Sequence, residues 1–347
     1  MRTRLLLLAL LTALSIAAET QLTVLQLNLW VQGDNVPGGK DAIAEIIDSM
    51  NPDVVLLCET GGKASFPDFL LQDLAHKGKT YYADTLGQSM GILSKIKPDT
   101  MSACFTIDDR HRPNPVCKFT LSIGKQKLAL YSVHLDWTHY ECYMPRGYSG
   151  TTWEKLSTPV CDADSVLAAN RQSLRDEAIS LLIADADAER RNGALVIFGG
   201  DFNEPSHLDW QDDTKDLRDH NGLVIDWDCS VMLQQAGYRD SYREKYPDAV
   251  LYPGFTFPAG NRHAELQKLV WMPDKDERDR IDFIYYSPGP KIELRDVVMV
   301  GPAEDIVEGR ITVAESGDSV VTPLCIWPSD HRGTFCTFVL SDDDIRK

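Results

Sequence analysis

Side chains of the types that bind metal ions and move protons follow several apolar runs of this sequence. They are Asn28 in Gln-Leu-Asn-Leu-Trp, Glu59 in Leu-Leu-Cys-Glu-Thr, His134 in Tyr-Ser-Val-His-Leu, Asp201 and Asn203 in Gly-Gly-Asp-Phe-Asn, Asp282 in Arg-Ile-Asp-Phe, and Asp330 and His331 in Pro-Ser-Asp-His. Carboxylate and amide oxygens suit a hard divalent cation such as Mg²⁺. Imidazole exchanges protons near neutral pH. The set therefore indicates a site that combines a metal ion with acid–base chemistry.

Each of these residues also has an ordinary structural explanation when it is taken alone. An Asn or Asp at the end of a strand commonly caps a turn, and a single His can be a satisfied structural residue. A polar residue at a strand end is, however, both rigidly held and open to solvent. Coincidence is the weaker explanation for the whole set, because all these residue types occur together in one chain.

Short apolar runs and amphipathic segments predict the elements that position these residues. Strands are predicted at 21–29, 54–57, 90–94, 116–123, 127–133, 194–198, 281–286, 294–300 and 334–340. Helices are predicted at 42–50, 66–76, 167–191 and 230–236. The mixture predicts α/β layers with partly antiparallel sheets, in one domain.

The first 18 residues have the form of a secretory signal. Arg2 and Arg4 precede an apolar run from Leu5 to about Leu14, and small residues follow it. The run is shorter than the roughly 20 residues of a membrane helix. We therefore predict a signal peptide over residues 1–18, a single catalytic domain over 19–347, no transmembrane segment, and a secreted or periplasmic location.

The chain is strongly acidic. Its net charge is −17, and loss of Arg2 and Arg4 with the signal leaves 33 Lys and Arg against 52 Asp and Glu, or −19. Proteins that hold nucleic acid by broad charge attraction need many Lys and Arg residues. The densest basic cluster, Arg110-His111-Arg112, is small. Nucleic acid is therefore disfavoured as a partner, although a nuclease with a few local bases and a metal stays open.

The eight cysteines predict disulfide bonds in an exported chain. The simplest pairings are local: Cys104 with Cys117, Cys142 with Cys161, and Cys325 with Cys336. Cys58 lies inside an apolar run, where a buried free thiol is at least as good an explanation.

Three motifs resemble those of the endonuclease/exonuclease/phosphatase superfamily. They are Gly200-Asp201-Phe202-Asn203, Arg280-Ile281-Asp282-Phe283 and Ser329-Asp330-His331. The resemblance extends from Gln26 to Phe338, and a His at position 134 is similar to the deoxyribonuclease branch. It implies a four-layer α/β/β/α sandwich, with two mixed, mostly antiparallel sheets packed face to face and helices outside. It also implies metal-dependent hydrolysis of phosphoester bonds.

The resemblance further implies a metal site. Glu59 is the expected chief ligand of Mg²⁺, with Asn28 and Asp330 near the same ion, and Mn²⁺ and Ca²⁺ are the alternative cations. A cation at the phosphate is needed because the negatively charged ester repels hydroxide.

The same resemblance implies catalytic roles for the other residues. His331 is expected to act as the general base with Asp282 on its far nitrogen, and Asp201 is the alternative base. Asn203 would donate to a phosphate oxygen. His134 would stabilise the phosphorane or protonate the leaving group.

Two irregular segments are candidates for substrate selection. The segment Trp137–Asp164 follows His134, and Trp137, Tyr143, Arg146 and Trp153 are its candidate substrate-binding residues. A surface insertion held by Cys142 and Cys161 is the alternative. The segment Glu204–Trp227, with His207, Asp209, Asp212, Asp213 and His220, is expected to be a solvated acidic loop rather than a second metal site, because it lacks calcium-loop spacing.

The sequence thus predicts a secreted Mg²⁺-dependent phosphomonoesterase or phosphodiesterase, acting as a monomer on a small, glycan-linked or lipid-linked phosphate. The alternatives are a secreted nuclease for DNA or RNA, a sphingomyelinase-like phospholipid phosphodiesterase, and a non-catalytic binding protein. No hairpin of consecutive aromatic residues favours insertion into a bilayer. A non-catalytic binding protein is disfavoured because each family position named above holds a residue that can perform the chemistry.

Overall fold

A computed structural model of the protein describes residues 19–61, 65–84, 89–103 and 115–341. The predicted signal peptide, Cys104 and the Arg110-His111-Arg112 cluster lie outside the described residues. Cys117 is a buried free thiol, which contradicts its predicted pairing with Cys104.

Each predicted strand and helical segment is present in the predicted order, and the described residues contain six further short strands and a short helix at Ser241–Lys245 that were not predicted. The strands are β1 (Glu19–Asn28), β2 (Val54–Cys58), β3 (Tyr82–Asp84), β4 (Met90–Ser94), β5 (Thr100–Ala103), β6 (Val116–Ile123), β7 (Gln126–His134), β8 (Ala194–Asp201), β9 (Arg239–Asp240), β10 (Asp282–Tyr286), β11 (Ile292–Val300), β12 (Glu304–Val307), β13 (Arg310–Val313), β14 (Val320–Val321) and β15 (Gly333–Ser341). The helices are α1 (Gly39–Met50), α2 (Ser65–His76), α3 (Ala163–Asn170), α4 (Arg175–Arg191), α5 (Asp228–Gln235) and α6 (Ser241–Lys245).

Two large sheets contain most of these strands. The first has the order β14-β11-β15-β1-β2-β4-β3, and the second has the order β5-β6-β7-β8-β10-β9. Within the described residues the pairs β1–β2, β11–β14 and β7–β8 are parallel, and the other pairs of these two sheets are antiparallel. Both sheets are therefore mixed and mostly antiparallel, as predicted.

The apolar residues of β1 alternate between two cores, because successive side chains of a strand point to opposite faces. Leu22 and Val24 pack between the two sheets, whereas Leu25 and Leu27 face α1 and α2. On the far side, α4 and α5 pack on the second sheet. The order of layers is thus helix, sheet, sheet, helix, and the predicted four-layer sandwich is confirmed.

The segment predicted as one helix over 167–191 forms two helices, α3 and α4. The buried Asn170 lies at the break: its backbone carbonyl accepts from Ser173 Oγ at 2.9 Å, and its side-chain carbonyl accepts from Arg175. These polar contacts replace the regular helical bonds at the junction. Of the helices in the described ranges, none is long and apolar enough to cross a membrane.

The other two predicted disulfides are also wrong. Cys142 is buried among aromatic side chains whereas Cys161 is exposed, and both are free thiols. Cys336 points between the two sheets and contacts Ser241 Oγ at 3.2 Å, while Cys325 packs on the opposite face of the first sheet. Neither pair joins, because the two side chains of each pair lie in different environments. Cys58 is a buried free thiol, as the apolar run around it suggested.

Candidate active site

Backbone register brings the predicted polar residues to one edge of the sandwich. His134 at the end of β7 pairs with Asp201 at the end of β8, and Asp282 at the start of β10 pairs with Asp201 from the other side. In the first sheet, Asn28 at the end of β1 pairs with Cys58, the residue before Glu59. The strand ends of both sheets therefore meet at one place.

Glu59 and Asp201 face each other across the two sheets, and Asn28 lies between them. The Asn28 amide donates to Glu59 Oε1 at 3.2 Å and to Asp201 Oδ2 at 3.0 Å. His134 Nε2 lies 3.9 Å from Glu59 Oε1 and 3.8 Å from Asp201 Oδ2. The backbone N–H of Val31 donates to Glu59 Oε2 at 3.0 Å, which fixes the carboxylate in place.

His331 forms the second half of the cluster. Its Nδ1 lies 2.7 Å from Asp282 Oδ2, and Gln26 donates to the other oxygen of Asp282 at 2.8 Å. This leaves His331 Nε2 directed at the site, 3.9 Å from Asp201 Oδ2 and 3.8 Å from Asp330 Oδ1. A carboxylate on one ring nitrogen orients the imidazole and determines which nitrogen can exchange a proton.

Asn203 follows Asp201 in a left-handed conformation, with φ of 49°. Its backbone N–H donates to Asp201 Oδ1 at 2.8 Å, and its side-chain amide donates to the Leu135 carbonyl at 3.1 Å. Asn is among the residues that tolerate this conformation. The turn therefore exposes the Asn203 amide at the cavity beside the carboxylates.

The site concentrates negative charge in a buried place. Burial raises the pKa of Asp201 to about 7, with the charges of Asp282 and Glu59 adding and that of His331 opposing. Burial likewise raises the pKa of Asp330 to about 7. Burial lowers the pKa of His331, but the carboxylates of Asp282, Asp330 and Asp201 outweigh it and raise that pKa well above its ordinary value.

The donor set fits a divalent cation. Oxygen or nitrogen atoms of Glu59, His134 and Asp201 lie within 4.8 Å of one another, and so do those of Asp201, Asp282 and His331. A cation between them would stabilise the ionised carboxylates and so oppose the burial and the mutual repulsion that raise their pKa values. The Asn28 side-chain carbonyl accepts from the Trp30 N–H at 3.0 Å, so its amide nitrogen faces the carboxylates. The metal-binding role of Asn28 stays a prediction.

A pocket of about 250 Å³ opens beside the carboxylates, and aromatic rings form most of its wall. The Trp137 and Trp153 rings lie parallel within 15°, with centroids 6.3 Å apart. Trp271 lies 5.3 Å from Trp153, and Tyr143 meets Trp153 edge-on at 5.7 Å. Glu59, Asn203, Asp330 and His331 form its floor. The structure thus brings Trp137, Tyr143 and Trp153 to the predicted site.

The structure does not bring Arg146, a predicted substrate-binding residue, to the pocket. This side chain is fully buried, forms an ion pair with Asp279 and stacks on Trp210 at 5.3 Å. Its guanidinium also donates to the backbone carbonyl of Arg278 at 3.2 Å. Arg146 is therefore an anchor beneath the segment and has no surface for a ligand.

The segment Glu204–Trp227 is not the solvated acidic loop that the sequence predicted. Asp209 is buried between Arg243 and Arg280, and His220 stacks on Trp210 with ring centroids 3.6 Å apart. His207 bonds to Ser230. Asp212 and Asp213 are exposed as expected, and so are Asp216 and Asp226. The partners of the buried groups lie far away in the sequence, so composition alone could not reveal them.

The sequence patterns did not point to several other wall residues, among them Trp30, Phe257 and Trp271. Phe257 packs on the His331 ring with centroids 4.8 Å apart. Trp30 follows Asn28 by two residues, so its closeness to the site could have been inferred. Trp271 lies in a loop-rich region without apolar periodicity, where the exposed aromatic was the only signal.

The family model named Endonuclease/Exonuclease/phosphatase family matches residues 25–331 of this chain. The chain belongs to the endonuclease/exonuclease/phosphatase family. As a member of this family, it is a metal-dependent hydrolase that acts on phosphoester bonds. The oxygen-rich cluster at the strand ends agrees with that chemistry.

A curated relative is uncharacterized protein F14F9.5 of Caenorhabditis elegans, 27% identical over 331 residues that cover 93% of each chain. Among solved structures, TDP2 of D. rerio complexed with single strand DNA product has a TM-score of 0.52 at 18% identity and covers 92% of this chain and 99% of that one. The human Nocturnin catalytic domain with bound sulfate has a TM-score of 0.51 at 14% identity, covering 93% and 97%. At these identities the likeness establishes the fold.

Proposed function

We propose that the protein is an exported, Mg²⁺-dependent hydrolase of a small, glycan-linked or lipid-linked phosphate. The observation that carries the proposal is the convergence of four carboxylates and two imidazoles beside an aromatic pocket. Export rests on the sequence of residues 1–18.

Glu59 and Asp330 would hold the metal, because both carboxylates line the pocket floor next to the space that a phosphate would occupy. Bound Mg²⁺ would polarise a phosphate oxygen and offset the charge that develops as water attacks. Val31 and Asn28 keep Glu59 in one orientation through their hydrogen bonds to its two oxygens.

Asp201 is our choice as the acceptor of the proton from the attacking water. The surrounding carboxylates raise the pKa of His331 well above its ordinary value, which favours the protonated ring, and a protonated ring cannot accept a proton. Asp201, with a pKa of about 7, can be present as the carboxylate that accepts one. His331, held by Asp282, would then carry positive charge next to the phosphate. The reverse assignment, with His331 as the base, is the alternative and predicts a loss of activity as His331 becomes protonated.

Asn203 and His134 complete the arrangement from the opposite side of Asp201. The Asn203 amide lies at the cavity and can donate to a phosphate oxygen. His134 Nε2 lies within 4 Å of both Glu59 and Asp201, where a proton on it can stabilise the phosphorane or pass to the leaving oxygen.

A small substrate is favoured over nucleic acid on electrostatic grounds. Among the described residues, no Lys or Arg lines either cavity at the site, and the mature chain carries a charge of −19. Polyanions are held chiefly through Lys and Arg contacts to phosphates. The TDP2 likeness does not outweigh this, because it concerns the fold.

Two assays test the proposal. Purified protein should hydrolyse p-nitrophenyl phosphate or bis-p-nitrophenyl phosphate with Mg²⁺, and EDTA should abolish the turnover until Mg²⁺ is restored. Supercoiled plasmid incubated under the same conditions should stay intact. Rapid plasmid cleavage would support the nuclease alternative, and undiminished turnover in EDTA would contradict the metal mechanism.

A further inference from the structure

We propose that the aromatic pocket binds a quaternary ammonium group, so that the preferred substrate is a phosphate ester of choline or of a similar N-methylated amino alcohol. This inference rests on the proposed function and adds the chemical class of the esterified alcohol. The walls formed by Trp137, Tyr143, Trp153 and Trp271 are called the aromatic cage below.

Trp137, Trp153 and Trp271 form one continuous aromatic surface, and the buried Tyr143 ring packs edge-on against Trp153. Trp137 and Trp153 face the same way, Trp271 is tilted by 40° against Trp153, and Tyr143 stands nearly perpendicular to Trp153. Trp137 and Trp271 are both about half exposed, at 47% and 48%. Contiguous exposed apolar surface of this kind marks ligand-binding or interaction sites.

The cage offers a ligand aromatic ring faces but few hydrogen-bond acceptors. The Tyr143 hydroxyl donates to Glu277 at 2.9 Å, and the buried Tyr140 hydroxyl has no hydrogen-bond partner among the described residues. The other polar side chains of the lining, Glu59, Asn203, Asp330 and His331, belong to the catalytic floor. A sugar or a nucleobase would need acceptors for its O–H or N–H groups. An N-methylated ammonium has no N–H to satisfy.

The charge around the cage favours a cation. The Glu277 carboxylate lies directly behind two of its walls. It accepts from the Tyr143 hydroxyl at 2.9 Å, and the Trp271 backbone N–H donates to its two oxygens at 3.1 and 3.2 Å. Burial raises the pKa of Glu277 to about 7, and a cation in the cage would favour its ionised form. Trp is the best aromatic partner for a cation, and recognition of choline by aromatic cages is a known use of this interaction.

The cage and the catalytic cluster belong to one ligand site. The 250 Å³ pocket shares Val31, Glu59, Trp137, Asn203 and His331 with a neighbouring cavity of about 320 Å³ that reaches Asp201 and His134. A phosphate at the carboxylate cluster would thus place its esterified alcohol in the cage. The pocket is at the small end of ligand sites, which suits a headgroup.

A binding titration tests the inference without turnover. Choline chloride and its neutral carbon isostere 3,3-dimethylbutanol are titrated into EDTA-treated protein, and tryptophan fluorescence is followed. Choline should bind at least about 10-fold more tightly, as expected for a partly desolvated cation on tryptophan rings. Equal affinities, or no binding of either compound, would overturn the inference.

Two variants locate the binding. Trp271→Leu and Trp153→Leu should each remove most of the preference for choline, whereas Leu324→Ala, at a fully exposed side chain, should keep it. Circular dichroism checks that the variants are folded. Because Trp271 is half exposed, its substitution should disturb the fold less than that of Trp153. A choline preference that survives in both folded variants would contradict the assignment to the cage.

Turnover then separates this inference from the proposed function. The esters compared are p-nitrophenyl phosphorylcholine and p-nitrophenyl 3,3-dimethylbutyl phosphate, and kcat/KM should favour the first at least about 10-fold, mainly through KM. Hydrolysis of both esters at equal rates would support the proposed phosphoesterase function and contradict the assignment of the cage to choline. Tight choline binding without hydrolysis of any phosphoester would support the cage and contradict the proposed function.

Discussion

The catalytic cluster and the aromatic cage meet at one cavity, yet they are built in different ways. The cluster residues stand at or next to the ends of β1, β2, β7, β8 and β10, or just before β15, so backbone pairing in two sheets sets their positions. The cage residues come from loops after β7 and before β10. Reaction chemistry is therefore tied to the register of the sandwich, whereas substrate choice depends on loop segments that can change separately.

The cage loops are nonetheless firmly held, by buried polar contacts in place of the predicted disulfide. Arg146 pairs with Asp279, and Arg175 donates to the backbone carbonyls of Asp136 and Thr138 at 2.7 and 2.8 Å. The loop that carries Trp137 and Trp153 is thereby attached to the body from below. This arrangement predicts that loop and cluster can be disturbed independently.

The largest expected effect is on stability, from removal of a loop anchor. Arg146→Ala leaves Asp279 buried without its partner, which should lower the free energy of unfolding by about 3–5 kcal/mol. Urea denaturation measures this, with Lys215→Ala in an exposed ion pair as the control that should be unchanged. The folded fraction should lose choline binding more than aryl phosphate turnover. Equal losses would break the distinction between cage and cluster.

Removal of a catalytic group should be next in size. Asp201→Asn and His331→Ala should each lower kcat on an aryl phosphate by at least about 10²-fold, because each removes a group that handles a proton or charge at the phosphate. The matched controls are Asp212→Asn and His76→Ala, which alter exposed residues of the same types. Near-normal kcat in either site variant would remove that residue from the mechanism.

Asp282→Asn should have a smaller effect and a diagnostic one. It removes the carboxylate 2.7 Å from His331 Nδ1, so the pKa of His331 falls and the ring loses its fixed orientation. We expect a loss of about 10-fold or more in kcat and a shift of the pH–rate profile relative to the wild type. An unchanged profile with reduced kcat would indicate that Asp282 acts on something other than His331.

A further prediction concerns the pH dependence of stability in the metal-free protein. Asp201 and Asp330 have a pKa of about 7 in the folded protein, against about 3.9 in an unfolded chain. Between these values the folded state binds more protons, so the contribution of these two groups to the free energy of unfolding decreases as pH rises from about 4 to about 7.

Thermal melts of wild type and Asp330→Asn measure this contribution. The wild type should lose more stability than the variant between pH 5 and pH 8 in EDTA, and Mg²⁺ should raise the wild-type Tm more at pH 8 than at pH 5. Parallel curves for the two proteins would show that the Asp330 carboxyl is not perturbed in this way.

The sequence predicts the cluster well because its signals are local. Each of Glu59, His134 and Asp201 directly follows or ends a short apolar run. Such runs are typical of strands in a sheet that is covered by other layers on both of its faces. Which strand ends then meet depends on pairing across the whole chain. That step came from the resemblance in motif order, and periodicity alone could not have supplied it.

The cage and its anchors were harder to predict because their partners are distant in sequence. Arg146 reads as a surface base until Asp279 is placed against it, 133 residues further on. Trp271 has no periodic neighbours, and the Asn170 side chain at the break between α3 and α4 donates to Glu204, which lies 34 residues further on. The predicted disulfides are wrong for a related reason, because proximity in sequence does not determine which face of a sheet or loop a cysteine side chain occupies.

Binding of Mn²⁺ together with turnover tests the central claim most directly, because the claim is that the strand-end carboxylates hold a divalent cation that the reaction needs. Free Mn²⁺ can be followed by electron paramagnetic resonance while p-nitrophenyl phosphate is hydrolysed in the same sample. Turnover should follow Mn²⁺ occupancy in the wild type, and Glu59→Gln should weaken Mn²⁺ binding at least about 10-fold. Full activity in protein that binds no Mn²⁺, or unchanged affinity in Glu59→Gln, would contradict the account.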